Sequence, residues 1–245
     1  MDSDLAQKLL RKTRVDYEKI AEEFSFSRKY LWEDLKGFRK YIRSGNVILD
    51  LGCGNGRLYE LFQDLEVKYI GIDNSKGLIE KAKRKYGAKS EASFQVGNAL
   101  NLPFGENKFD VVFCIAMLHH IPSHQLRLKV LTEAKRVLKK GGLFIMTNWN
   151  LYQRKYWKYI IKSIFLKFYS LFIYHYALDI GDVFIPWRLK SGEKIDRYYH
   201  AFTKKGLERL VISLGLELIE SYYVCRREKV GCLKGFNIVI IAKKI

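Results

Sequence analysis

Acidic side chains are scarce in this 245-residue chain: 26 Asp and Glu stand against 44 Lys and Arg, for a formal charge of +18. Cysteines are few, at positions 53, 114, 225 and 232. Their spacing suits neither a metal site nor a disulfide framework, so no bound metal is expected and the thiols read as reduced, as in a cytoplasmic protein. No apolar leader follows the charged first residues, which argues against secretion. The apolar-rich stretch around Phe168–Leu178 is too short to cross a bilayer. Repeats, low-complexity tracts and linkers are also lacking, so the chain reads as one domain long enough to bury a full core.

The basic excess draws polyanions, with tRNA, rRNA, DNA and anionic lipid all compatible, or else it is a lysine-rich solvated surface. From Asn46 to Trp149 the runs "NVILDL", "KYIGID", "ASFQVG", "FDVVFCIAM" and "GLFIMTNW" alternate with helical patterns at Arg57–Leu65, Lys76–Tyr86 and Gln125–Leu138. Such alternation predicts an α/β fold: a mostly parallel sheet with helices on both faces. Residues 1–44 read as a helical cap in two pieces, broken near "EFSFSR", and 45–150 as the core. Residues 151–190 read as an inserted helical segment, aromatic and basic up to 179. Residues 191–245 close the chain with a helix (Lys204–Leu214) and an antiparallel strand pair, "LELIESYYV" and "FNIVIIAKK".

The stretch "VILDLGCGNGRL" places Gly52, Gly54 and Gly56 directly after a buried strand and before a helical pattern. Arg57 occupies the position where a dinucleotide fingerprint needs its last glycine, so a different nucleotide is expected. In an open α/β sheet the ligand lies beyond the carboxyl ends of the strands. The glycine loop there offers bare backbone N–H groups. Asp73, ending the second strand, can accept both ribose hydroxyls, and Asn98 after the third can bracket an adenine edge.

With "LDLGCGNG", "IGIDNS", "GNALNLPF", "FDVVFCIAMLHHI" and "VLKKGGLFIMTNW" in order, the sequence resembles the class I S-adenosylmethionine-dependent methyltransferases. Asn98 departs from that pattern, where an acid is commoner. The resemblance implies a Rossmann-like seven-stranded sheet with an antiparallel C-terminal strand. It also implies S-adenosylmethionine as cofactor, held by Asp50, Gly52, Gly54, Gly56, Asp73, Asn74, Asn98, Ala99 and Ile115.

The flanks are more specific. Tyr17, Ile20, Ala21, Phe24, Ser25, Arg28 and Trp32, the pair His119–His120, Pro186–Trp187 and "RYYHAF" are together similar to the tRNA wobble-uridine 5-carboxymethyluridine methyltransferase family. That resemblance implies methyl esterification of a carboxylate on the anticodon's first base, with tRNA as partner and a small zinc-binding activator subunit in reserve. A carboxylate is ionised at neutral pH and needs positioning, not a base. Candidates for holding it are Arg28, His119, Arg188, Arg197 and His200. Trp32, Trp187, Tyr198 and Tyr199 are candidates for gripping the base, as unpaired RNA bases are gripped by stacking. Adjacent in an extended chain, Tyr198 and Tyr199 face opposite ways, so one packs inward and one faces the cleft.

Two other functions fit parts of the sequence: a methyltransferase for a small lipid, quinone or sugar, and an RNA-binding protein without turnover. The first predicts a closed apolar pocket under residues 151–179. That segment reads as a lid, an RNA-binding face or a membrane-surface helix, with Arg154, Lys158 and Lys162 forming a basic stripe.

Overall fold

In a computed structural model, described over residues 1–89, 91–173 and 178–245, α1 (Ser3–Ser27) opens the chain. The core then alternates β1 (Val47–Leu51), β2 (Lys68–Asp73), α2 (Lys76–Tyr86), β3 (Ala92–Val96), β4 (Phe109–Ile115), α3 (His124–Val137) and β5 (Leu138–Trp149). After α4 (Trp157–Ile173) come β6 (Asp182–Arg188), β7 (Lys194–His200), α5 (Lys204–Ser213), β8 (Leu216–Cys225), β9 (Glu228–Val230) and β10 (Asn237–Lys244). The main sheet runs β3-β2-β1-β4-β5-β10-β8-β9, parallel through β5, with β10 antiparallel to both β5 and β8. This is the expected seven-stranded class I arrangement plus the short edge strand β9.

Period-two alternation within strands that are apolar on both sides splits the interior into two cores. Leu49, Leu51, Phe144, Met146, Ile238 and Ile240 face one layer, which includes α3 and α5. Ile48, Ile145, Val239 and Ile241 face the other, which includes α2. Side-chain caps fix where helices start: the Ser75, Ser123 and Thr203 hydroxyls accept from Leu78, Leu126 and Gly206 N–H.

Three boundaries differ from the sequence reading. Helix α1 runs through "EFSFS" without a break, because Tyr17 and Phe24, two turns apart, share one face and touch edge-on at 5.3 Å. The chain breaks only after Ser27 and resumes as a 3-10 segment at Glu33–Tyr41. The helix expected at Arg57–Leu65 is a 3-10 segment ending at Leu61. Residues 182–200, split between an insertion and a C-terminal unit in the sequence, form one antiparallel hairpin, β6–β7.

Helix α4 packs its Tyr159 and Ile160 against Val183, Ile185 and Tyr199 of the hairpin. None of its described residues lines the main cavity; the rest of the expected aromatic segment, 174–177, lies outside the described residues. No described helix is long and apolar enough to cross a membrane.

Candidate active site

Beyond the carboxyl ends of β1, β2 and β4 lies a cavity of about 1140 Å³. A single small-ligand site occupies roughly 300–1,000 Å³, so there is room for a cofactor and part of a second molecule. Asp50, Gly52, Gly54, Asp73, Asn74, Asn98, Ala99 and Ile115 line one end. Gly56 does not line it, but supports the loop from behind with φ +76°; a Cβ there would meet the Phe94 ring at 2.7 Å. Gly52 also has φ +76°, and its Cβ would lie 2.7 Å from the Met117 Cβ.

These two glycines answer different needs: Gly56 lets the loop close on the core, and Gly52 lets the backbone face the cavity. Gly52→Ala should therefore cost about 1–3 kcal/mol of stability and remove the cofactor-dependent rise in melting temperature. A thermal-shift titration reads both effects, and an alanine variant that still shows the full rise would refute this account of the loop.

Asp73 organises this end. Its Oδ2 accepts from Gly54 N–H and its Oδ1 from Ser75 N–H, both at 2.9 Å. Burial raises its pKa, and these N–H donors pull it back down. Asp50 is buried deeper. Its Oδ2 accepts from the Tyr69 hydroxyl while Oδ1 has no partner, and burial lifts its pKa to about 7. Asn98 spends its Oδ1 on Leu100 N–H at 2.9 Å, leaving its amide nitrogen available to a ligand.

The other end is built by α1, the β4–α3 loop and β7. Alternation in β7 points Arg197 and Tyr199 into the cavity and turns Tyr198 and His200 away. The Tyr198 hydroxyl donates to Asp182 Oδ1 at 2.6 Å, and His200 Nδ1 bonds the same oxygen at 2.7 Å. Arg188 is exposed at the far end of β6. Of the residues expected to touch the acceptor, Arg28, Trp32, His119, Arg197 and Tyr199 line the cavity; Arg188, Tyr198 and His200 do not. Trp187 stands behind the lining, its ring 4.6 Å from the Arg197 guanidinium.

Arg197 is 5% exposed, lies between the Trp187 and Tyr199 rings, and has an unpartnered Nε. Arg28 and Arg57 line the same space, with an unpartnered Nε and an unpartnered Nη1 respectively. The arginines that form ion pairs among the described residues, Arg39, Arg127, Arg136 and Arg227, lie elsewhere. Burial, and then the like charge of Arg28, lower Arg57 to about 9. Three partly buried guanidiniums with no ion-pair partner favour an anion at this end, and Asp50 is the lining acid whose charge acts most on Arg57.

Hydrogen bonds fix the histidine tautomers. His120 Nδ1 lies 3.1 Å from the Tyr198 carbonyl, which can only accept, so Nδ1 carries the proton. Its Nε2 therefore accepts from the Tyr17 hydroxyl at 2.8 Å. Burial raises the Tyr17 pKa, and the nearby Arg197 and Tyr199 side chains pull it back down. His119 Nδ1 accepts from Trp149 N–H at 3.3 Å, which leaves its Nε2–H as a donor. Burial lowers His119 to about 3 and drives His120 well below the usual histidine range. Both rings are neutral at physiological pH.

Sequence reasoning did not assign Arg57 or Tyr17 to the site. The signal for Arg57 was its place at the end of the glycine loop, where it served only to exclude a dinucleotide. Tyr17 needed the fold, because its partner His120 is 103 residues away.

Comparison with known proteins adds the family context. The methyltransferase-domain family matches residues 49–146. A tRNA (carboxymethyluridine(34)-5-O)-methyltransferase of Schizosaccharomyces pombe is 28% identical, across 84% of this chain and 89% of that protein. The protein of the same name from Saccharomyces cerevisiae is 32% identical, over 72% of this chain and 56% of its own. Among solved structures, a methyltransferase of Haloferax volcanii in complex with the Trm112 methyltransferase activator superposes with a TM-score of 0.65 at 17% identity. That match covers 94% of this chain and 96% of the other.

Proposed function

We propose that the chain, which carries a methyltransferase domain over residues 49–146, is a class I S-adenosylmethionine-dependent enzyme that methyl-esterifies the carboxylate of 5-carboxymethyluridine at the tRNA wobble position. The observation that carries the acceptor is Arg197: a buried guanidinium on the cavity wall with no carboxylate of its own. The named relatives, which methylate this nucleoside, support the same reading.

The residues at the glycine end suit the cofactor. Asp50 Oδ1, buried and unpartnered, matches the need of an ammonium group, and Asp73 keeps free lone pairs for ribose hydroxyls. Asn98 and Ala99 would flank the adenine. When bound, S-adenosylmethionine supplies an electrophilic methyl group on a sulfonium.

The chain's own part is positioning. Arg197 and the His119 Nε2–H would hold the acceptor carboxylate, turning one oxygen toward the cofactor end of the cavity. Tyr199, stacked on His119 at 5.4 Å, and Trp149 would form the wall against which the uracil lies. Arg28 and Arg57 add positive potential that favours an anionic acceptor. No group need remove a proton, and neither histidine is basic enough to do so. Among the described residues none of α4 lines this cavity, which speaks against an apolar sac beneath that helix such as a small-molecule enzyme would use. A small activator subunit, zinc-binding in the resemblance drawn from the sequence, belongs to the proposal; the fold neighbour solved with an activator supports it. A cytoplasmic setting goes with a tRNA substrate.

The direct test incubates the protein, with and without a co-expressed activator, with S-adenosylmethionine and tRNA carrying 5-carboxymethyluridine, followed by nucleoside mass spectrometry. Appearance of the methyl ester at position 34 supports the reading. Methylation elsewhere, or of small acids alone, would replace the acceptor.

The pKa shifts give a second expectation. With His119 near 3, the acceptor ionised above about 4 and Arg57 charged below about 9, transfer at saturating cofactor should be flat from about pH 6 to pH 8. Cofactor affinity should instead rise with pH as Asp50, near 7, loses its proton, and fall again above about pH 8 as the cofactor's α-ammonium loses its own. A bell-shaped transfer profile centred near neutrality would reveal a base that this scheme lacks.

A further inference from the structure

Helix α4 has three faces of different character, and only one of them is used by the fold. Tyr159, Ile160 and the buried Ser163 dock toward the β6–β7 hairpin. About a third of a turn away, Trp157, Ile161, Ile164 and Phe165 are 47%, 54%, 45% and 70% exposed. Spaced i, i+4, i+7 and i+8, they form one contiguous apolar strip. Lys158 and Lys162, both exposed, flank that strip one helical turn apart.

A helix apolar on two faces is normally buried on both. Here the second face lies open, and its surroundings are cationic. Residues 151–178 contain five Lys or Arg and no Asp or Glu. An apolar strip bordered by lysines, rich in aromatic residues and free of acids, is the composition of helices that lie in a membrane interface. The lysine stems reach outward to anionic headgroups while the apolar strip enters the acyl boundary. RNA is a poorer match: bases are gripped by aromatic faces and hydrogen-bond donors, and Ile161 and Ile164 offer neither.

We propose that α4 is an interfacial helix that seats Trp157, Ile161, Ile164 and Phe165 in the surface of an anionic phospholipid bilayer. The inference does not depend on the acceptor, because α4 contributes no described residue to the cavity. It gives the enzyme a second surface, through which it attaches to a cytoplasmic leaflet while the cavity stays open to its substrate.

The test is co-sedimentation of the full-length protein with vesicles of phosphatidylcholine alone or of phosphatidylcholine with phosphatidylserine. The protein should partition onto the anionic vesicles, less so as salt rises, and its tryptophan emission should shift to the blue. Trp157→Phe should abolish that shift.

Phe165→Asp and Ile161→Asp alter exposed side chains, so cofactor binding and melting temperature should match the parent. Each should reduce partitioning by about tenfold or more. Lys158→Glu with Lys162→Glu should do the same by about tenfold or more. No partitioning at low salt would overturn the proposal. So would partitioning indifferent to Phe165→Asp, which would reduce it to bulk charge. A parent that fails to bind vesicles but self-associates, or binds tRNA, in a Phe165-dependent way would assign the strip to that occupant instead.

Discussion

Arg197→Met is expected to leave the protein at least as heat-stable as the parent while transfer to the acceptor falls by about 10²–10³-fold. The two effects have one origin. A guanidinium that is 5% exposed and has no carboxylate partner has given up hydration without an ionic return. Methionine is of similar length, carries no charge and can keep contact with the Trp187 and Tyr199 rings. Tyr17 is not orphaned, since its hydroxyl still donates to His120 Nε2. A gain of about 1 kcal/mol would appear as roughly 2–4 °C in a chain of this size.

Arg197→Lys should recover only part of the transfer, because a point charge lacks the planar fork that aligns a carboxylate. Cofactor affinity, measured by titration calorimetry, should be unchanged in both variants. A lower melting temperature together with weaker cofactor binding would make Arg197 a structural brace and withdraw it from the acceptor.

Asp73→Ala is expected to fail in the complementary way, with cofactor affinity falling by about a hundredfold or more. Removing the carboxylate takes away the acceptor for Gly54 N–H, the acceptor for Ser75 N–H and the lone pairs proposed for the ribose. One donor is left unpaired in the glycine loop and another at the start of α2, so both segments loosen as well as losing a contact. Asp73→Asn keeps one carbonyl oxygen and should lose less. At saturating cofactor, the KM for RNA should stay near the parental value. Equal loss of both affinities would mean that the two ends of the cavity are not separable.

The cofactor end was legible because its signals are local. A strand, its glycine loop and the acid closing the next strand lie within 27 residues, and each residue type answers a backbone requirement. The acceptor end was legible in part. Strand alternation separates Tyr199 from Tyr198, but which of them faces the cavity depends on Asp182, across the hairpin, claiming Tyr198 and His200. Arg188 looks equivalent to Arg197 in sequence; hairpin register places it beside Lys194 at the exposed end. The uninterrupted α1 was hidden by serines and aromatics that have low helix propensity and are held helical by contacts made across the cavity. Long-range partners, rather than any weakness of local pattern, set these limits.

Glu18 ties the two ends together. On α1, next to Tyr17, its carboxylate accepts from Lys76 and Gly77 N–H at the start of α2, directly after the Asp73–Ser75 turn. The helix that lines the proposed acceptor end is thus moored to the turn proposed to hold the ribose. Tightening of that turn around the cofactor would draw α1 inward and finish the wall, so loading has a preferred sequence: nucleoside first, RNA second. Steady-state kinetics should accordingly be ordered, with a dead-end RNA analogue uncompetitive against the methyl donor.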